Sequence, residues 1–254
     1  MDGRGKFPFR MKHPLAIFHH SRLSGGRQYL DYANRTPNII NPKFARSVFL
    51  DQMKALVDCG LYENANEIIL GVNAAIEDAD GAFVEANHPP GSKRKYWGAD
   101  AESLLPTMRF MQEWSKTHPN WYVLFFHTKS VNHAGDPIYV NWRLCSEKAV
   151  LRNWRQCVAD LDADFDAVGP HWIRREQYGN HVNPEHGGTP FFGGVIYWAK
   201  ASFLATLPML PEKATCTADW YLPEHVIGMG PKLPKVKDPA PHWPGKDSCG
   251  AFIK

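Results

Sequence analysis

Two apolar periods alternate along the first two thirds of the chain. Leu15-Ala16-Ile17-Phe18, Ile68 to Val72 and Tyr122 to Phe126 are short unbroken apolar runs, each ending in polar residues. Runs of that kind suit strands buried on both faces of a sheet. Between them the spacing changes. Phe44, Val48, Phe49, Met53, Leu56 and Val57 recur at helical intervals from Phe44 to Leu61, with Gly60 as a stop. Leu104, Leu105, Met108, Phe110, Met111 and Trp114 predict a helix to about Lys116, capped by Asp100 and tolerating Pro106 in its first turn. A long helix is expected from Trp142 to Leu161, then a short strand over Asp164 to Gly169 and a second apolar strand over Phe191 to Trp198. Short helices are expected over Ala199 to Leu207 and Asp219 to Ile227.

The intervening segments carry breakers. Residues 74–98, with His88-Pro89-Pro90-Gly91, read as an irregular excursion, and His171 to Pro190 as a loop. Residues 1–13 read as an irregular lead-in, and residues 231–254 as a proline-rich tail on the surface. Strands alternating with helices predict an α/β fold with a largely parallel sheet, to which the later apolar segment adds antiparallel character. A single domain over residues 1–254 is the expected organisation.

One strand end stands out chemically. Trp121 to Phe126 runs directly into His127-Thr128-Lys129, with Asn141-Trp142-Arg143 about one loop away. Open α/β sheets bind ligands just beyond the carboxyl ends of their strands. A histidine, a lysine and an arginine there point to an anionic ligand. The competing reading is a core strand that ends in ordinary surface polar residues.

Composition narrows the classes. The net charge is only +3, and basic residues cluster only at Lys93-Arg94-Lys95 and Arg174-Arg175, so no nucleic-acid partner is expected. No apolar run reaches the roughly 20 residues of a membrane helix, and a cytoplasmic location is expected. The five cysteines form no Cys-x-x-Cys pair and are expected to be reduced and packed. Twelve histidines show no metal-ligand spacing. Asp162, Asp164 and Asp166 form an Asp-x-Asp-x-Asp run that reads either as metal ligands or as a solvated helix-to-strand junction.

Several segments, taken in order, resemble a family of glycosyltransferase-like proteins encoded among bacterial and viral polysaccharide genes. They are Ile17-Phe18-His19-His20, Cys59-Gly60-Leu61-Tyr62, Ile68 to Val72, Leu124 to Lys129, Asn141-Trp142-Arg143, Asp166 to Gly169, and Phe192 to Lys200. The resemblance covers most of residues 15–228. It departs from the family at Ser130, where a glycine is usual, and at Gly193 to Trp198, where Gly-Asn-x-Trp-Trp is usual. It implies a GT-A-like (Rossmann-like) mixed sheet flanked by helices, and transfer of a sugar from a nucleotide-sugar donor to a glycan acceptor. GT-A enzymes hold a metal on the donor diphosphate with Asp-x-Asp at a strand end. Here His127-Thr128-Lys129 stands in that place, so no cofactor is expected to be required.

On that reading His127, Lys129 and Arg143 bind the donor diphosphate, the cations offsetting charge that develops on the leaving group. His19, His20 and Asn73 hold the nucleotide, and Gly193, Gly194 and Trp198 meet the acceptor or sugar. Asp219 or Glu224 serves as the base. Each residue also has a plain structural reading: Arg143 opening a helix, Lys129 solvated, Asp219 capping, Trp198 and one of His19 and His20 in the core. The alternative function is a non-catalytic carbohydrate-binding or scaffold protein on the same fold. A metal-dependent hydrolase using the histidines and the aspartate run is a third.

Overall fold

Every strand of the main sheet pairs so that the chemistry-bearing turns gather at one edge. The computed structural model describes residues 11–23, 29–30, 37–38, 40–73, 77–88, 94–99, 104–131, 136–173, 190–210, 226–229 and 234–239. The strands are β1 (Leu15–Ser21), the short β2 (Tyr29–Leu30) and β3 (Pro37–Asn38), β4 (Glu67–Asn73), β5 (Arg94–Ala99) and β6 (Tyr122–His127). After them come β7 (Ala167–Val168), β8 (Trp172–Ile173), β9 (Phe191–Phe192), β10 (Tyr197–Lys200) and β11 (Val236–Lys237). Seven of them form one sheet in the order β11-β7-β10-β6-β1-β4-β5. β4, β5 and β6 join β1 in parallel, and β10 runs antiparallel between β6 and β7. The fold is therefore a mixed α/β sheet flanked by helices, the class expected for the chain.

The helices are α1 (Pro42–Asp58), α2 (Leu61–Asn64), α3 (Glu77–Asn87), α4 (Leu105–Thr117), α5 (Pro137–Glu147), α6 (Trp154–Asp162) and α7 (Ala201–Leu204). Side chains alternate across β1 and β6. Leu15, Ile17, Leu124 and Phe126 meet the core under α1 and α6, while Ala16, Phe18, Val123 and Phe125 meet the one under α4 and α7. Both faces are covered, which is why the runs carry no polar alternation. Each large side chain so buried contributes about 1.5–3 kcal/mol.

Several expectations need correction. The 74–98 excursion contains α3 and β5, and β5 completes the parallel edge beside β4. Its Arg94-Lys95 pair hid a strand behind charge, a composition that suits an exposed edge. The long Trp142–Leu161 helix instead begins at Pro137, capped by the Asp136 carboxylate, and is broken by a π turn over Lys148–Arg152. Two carbonyls of that turn find side-chain donors: Cys157 Sγ reaches Ala149 O and Trp198 Nε1 reaches Val150 O at 2.9 Å. The apolar stretch from Phe191 to Trp198 is two strands, parted by a turn at Gly193-Gly194. The proline-rich tail supplies β11 to the main sheet. Cys145 is disulfide-bonded, while Cys59 and Cys157 are free thiols. Separation along a chain does not say which thiols folding brings together.

Among the described residues no helix is long and apolar enough to cross a membrane. Asp100, the expected cap of α4, lies outside them; α4 starts after Leu104, with Pro106 in its first turn as expected.

Candidate functional site

β1, β4 and β6 run parallel, so their carboxyl ends share one edge. Thr128 locks two of those ends together: its hydroxyl accepts from Arg22 N at 2.8 Å, and Thr128 N donates to His20 O. The chain then turns sharply, with Lys129 N bonded back to His127 O at 2.7 Å. That turn aims the Lys129 ammonium at the face of Trp142 in α5, 4.0 Å from the ring centroid. Such cation–π contacts are worth about 0.5–2 kcal/mol and fix a long, flexible side chain.

Gly194 faces this pair from the turn before β10. Its φ of +93° is a conformation that favours glycine, and a Cβ there would lie 3.4 Å from Lys129 Cε and 3.5 Å from Trp142 Nε1. Its carbonyl accepts from His127 Nε2 at 2.9 Å. Burial first, then the Lys129 charge, holds His127 well below the usual histidine range, so the ring is neutral. A neutral ring has one N–H, and Gly194 takes it. His127 therefore has none to give a phosphate oxygen, which corrects the expected donor role.

Backbone strain concentrates here. Of the non-glycine residues with positive φ, Ser130 (74°), His171 (57°) and Val195 (52°) border this edge. A β-branched residue in that region is a genuine outlier. Ser130, where the sequence resemblance leads one to expect glycine, takes a left-handed backbone conformation that favours glycine. Its hydroxyl offsets part of the strain by donating to Tyr139 O at 2.6 Å. His171 is held by the Asp238 carboxylate, which accepts from His171 N and Trp172 N, and its own carbonyl accepts from Gly193 N. Its ring meets Trp142 edge to face at 6.4 Å. Trp142 entered the reading of the sequence only as part of the Asn141-Trp142-Arg143 segment, and His171 and Asp238 were given no site role there. For Asp238 no local signal exists, because it acts 67 residues from its partner.

Other expected site residues lie in the interior. Arg143 is buried and donates to both Glu147 oxygens at 3.1 and 3.2 Å, with the exposed Asp51 carboxylate at 3.5 Å. Burial pushes the Glu147 carboxyl up despite Arg143 beside it, so desolvation outweighs the attraction. The charge of Arg143 is matched internally rather than offered at the strand tip. The spacing was visible in the sequence: Arg143 and Glu147 are one helical turn apart.

His19 and His20 are both fully buried. His19 stacks on Phe126 at 4.2 Å and donates from Nε2 to Gln52 Oε1; Gln52 Nε2 in turn donates to His127 O and Glu147 Oε1. His20 Nδ1 pairs with Thr107 Oγ1 at 2.8 Å, and Thr107 approaches so closely because Gly71 has no Cβ to collide with it. Burial, reinforced by His88 for His19 and by Arg22 for His20, lowers each to a pKa of about 3. Both lie in the core and brace the edge. Trp198 is fully buried with its indole on Val150 O, so it stacks on no sugar in this structure. Gly193 joins His171 in the turn. Asn73 ends β4 at the same edge as His127. Asp219 and Glu224 lie outside the described residues.

The aspartate run is a junction. Asp162 accepts from the Tyr122 hydroxyl at 2.7 Å, Asp164 pairs with Lys235 and Lys200, and Asp166 accepts from Lys235 N. Among the described residues no group of three or more histidine, cysteine or acidic side chains converges as a metal site.

No family model and no curated protein matches the chain. Solved structures resemble the chain at low identity. HddC from Yersinia pseudotuberculosis is 12% identical, covering 93% of this chain and 99% of its own, with a TM-score of 0.40. A protein provisionally described as a nucleotide-diphospho-sugar transferase, from Desulfovibrio desulfuricans G20, is 11% identical over 82% and 72%, with a TM-score of 0.42. The 4-diphosphocytidyl-2C-methyl-D-erythritol synthase of Anaerococcus prevotii DSM 20548 is 12% identical over 76% and 74%, with a TM-score of 0.37.

Proposed function

We propose that the protein is a nucleotide-sugar-dependent glycosyltransferase whose donor diphosphate lies against Lys129, acting on a glycan acceptor. One observation carries this reading. The Lys129 ammonium is fixed over Trp142 and beside the left-handed backbone of Gly194, at the edge where β1, β4 and β6 all end. A fixed cation there offsets the charge that grows on a departing diphosphate, and needs no reorganisation during reaction. The strain stored at Ser130, His171 and Val195 supports the same placement, because outliers of this kind cluster where ligands are clamped. Arg143 has no place in this chemistry; it stiffens α5 from behind. Asp219 or Glu224 is proposed as the base that accepts the acceptor hydroxyl proton.

The internal pairing of Arg143 also favours a second reading, a carbohydrate-binding protein that keeps the fold without transfer, since fewer cations then face the ligand. Two measurements separate them. Thermal shift against a panel of nucleotide-sugars identifies a donor, because a ligand that binds only the folded state raises its apparent stability. Slow release of nucleoside diphosphate from that donor without acceptor marks the transferase. Lys129→Met is expected to lower donor affinity about tenfold, the order of a lost charge-assisted bond. Unchanged donor affinity and hydrolysis in Lys129→Met would remove the leaving-group site.

A further inference from the structure

We propose that His127 recognises a hydroxyl group of the bound ligand, accepting its hydrogen bond at Nδ1, while Lys129 takes the neighbouring anion. This rests on the proposed donor site and deepens it. The ring Nε2–H is committed to Gly194 O at 2.9 Å. Among the described residues Nδ1 makes no hydrogen bond, and the side chain is only partly buried. What faces the ligand is therefore a lone pair on a neutral ring.

A lone pair needs a proton donor. An ionised phosphodiester has none, and placing its oxygens against Nδ1 would set two acceptors in opposition. A hydroxyl meets the requirement, and nucleotide-sugars present several, on the ribose and on the sugar. Gly194 ties the two functions together, since its carbonyl accepts from the His127 ring and a Cβ at its position would lie 3.4 Å from Lys129 Cε. The ligand class that fits is an anion with a hydroxyl within a few ångströms of its charge. His127 is thus a specificity-determining residue that separates polyhydroxylated phosphates from bare ones.

Two kinds of probe test this. Dimethyl diphosphate carries two ionised phosphates and no hydroxyl; UDP-glucose, GDP-mannose and dTDP-glucose carry both features. Dissociation constants are measured by calorimetry or NMR titration for the intact protein, His127→Phe, His127→Gln and Lys129→Met. His127→Phe is expected to weaken the nucleotide-sugar that binds by about three- to tenfold, the size of one net neutral hydrogen bond. It leaves dimethyl diphosphate unchanged. His127→Gln, which keeps one donor and one acceptor, restores most of the lost affinity. Lys129→Met weakens both kinds of probe.

Equal losses for both probes in His127→Phe, or no loss in either, would overturn the assignment. Long-range proton–nitrogen NMR of the His127 ring adds a readout independent of ligand: the Nε2–H form is expected, and an Nδ1–H form would refute it. If Lys129→Met changes neither affinity while the selective His127 loss persists, the leaving-group site fails and the hydroxyl contact stands. Binding of none of these probes overturns both.

Discussion

The two ends of the central sheet are built on opposite terms. At the amino end, where β6 begins and β10 finishes, a groove of about 360 Å³ is lined by Lys12, Asp162, Asp164 and Lys200 among others. Its charges answer one another across short distances: Lys12 with Asp162, Lys200 and Lys235 with Asp164. At the carboxyl end the backbone is strained, histidines are kept neutral inside, and the Lys129 ammonium is held over Trp142 beside His127, whose Nε2 bonds to Gly194. The contrast is between charges paired with one another at the amino end and a cation held by geometry, over Trp142 and beside Gly194, at the carboxyl end.

The sharpest test sets one ion pair from each end side by side. Glu147→Leu leaves Arg143 buried with only the exposed Asp51 nearby, and stripping a buried charge of its partner costs about 3–5 kcal/mol. Asp164→Asn at the other end keeps a residue type that tolerates its positive φ and removes only solvated pairs, so urea midpoints are expected not to move. The pair Arg143→Met with Glu147→Leu should recover most of the loss. Equal responses from Glu147→Leu and Asp164→Asn would erase the distinction between the two ends.

Acid provides the next largest effect. His19 and His20 stay neutral in the folded chain down to a pKa of about 3, whereas the unfolded chain binds their protons below its ordinary value of 6.5. Stability is therefore present above pH 6.5 and is lost as pH falls toward 3. Between pH 7 and pH 5 each histidine accounts for roughly 2 kcal/mol of that loss. His127, lowered for similar reasons, adds to it in the same direction. Denaturant unfolding at stepped pH should show this slope, and His20→Gln should flatten it relative to its own stability at pH 7. An unchanged slope would mean that solvent reaches these rings.

These contrasts also show what a linear reading can and cannot reach. β1, β4 and β6 were legible because burial on both faces leaves short unbroken apolar runs, bounded by polar residues and rich in β-branched and aromatic side chains. The same two-sided burial made Trp198 misleading: on a sheet with a solvent face, one of Tyr197 and Trp198 would be free to stack on sugar, yet both are interior. The placement of His127 and Lys129 at a strand tip followed from where the run stops. Their tasks did not, because the donor of His127 is consumed by a carbonyl 67 residues away. α3 and β5 were hidden by the prolines and charges that bound them, and β11 by a proline-rich context. The pairing of Arg143 with Glu147 was not foreseen although its partner stood four residues on, since helical spacing alone does not distinguish a solvated pair from a buried one.

The smallest expected effect concerns Ser130, a non-glycine residue in a left-handed turn. Its φ of 74° costs a non-glycine residue about 1–2 kcal/mol, and the hydrogen bond to Tyr139 O returns about 0.5–1.5 kcal/mol. Ser130→Ala keeps the strain and loses the bond, so it should destabilise by about 1 kcal/mol. Ser130→Gly loses both and should be close to neutral. Donor affinity should follow the same order, because the turn that Ser130 closes is the one that aims Lys129 at Trp142. If alanine and glycine behave alike in both measurements, the left-handed turn is not what holds the lysine, and the carboxyl edge owes its geometry to Thr128 and Gly194 instead.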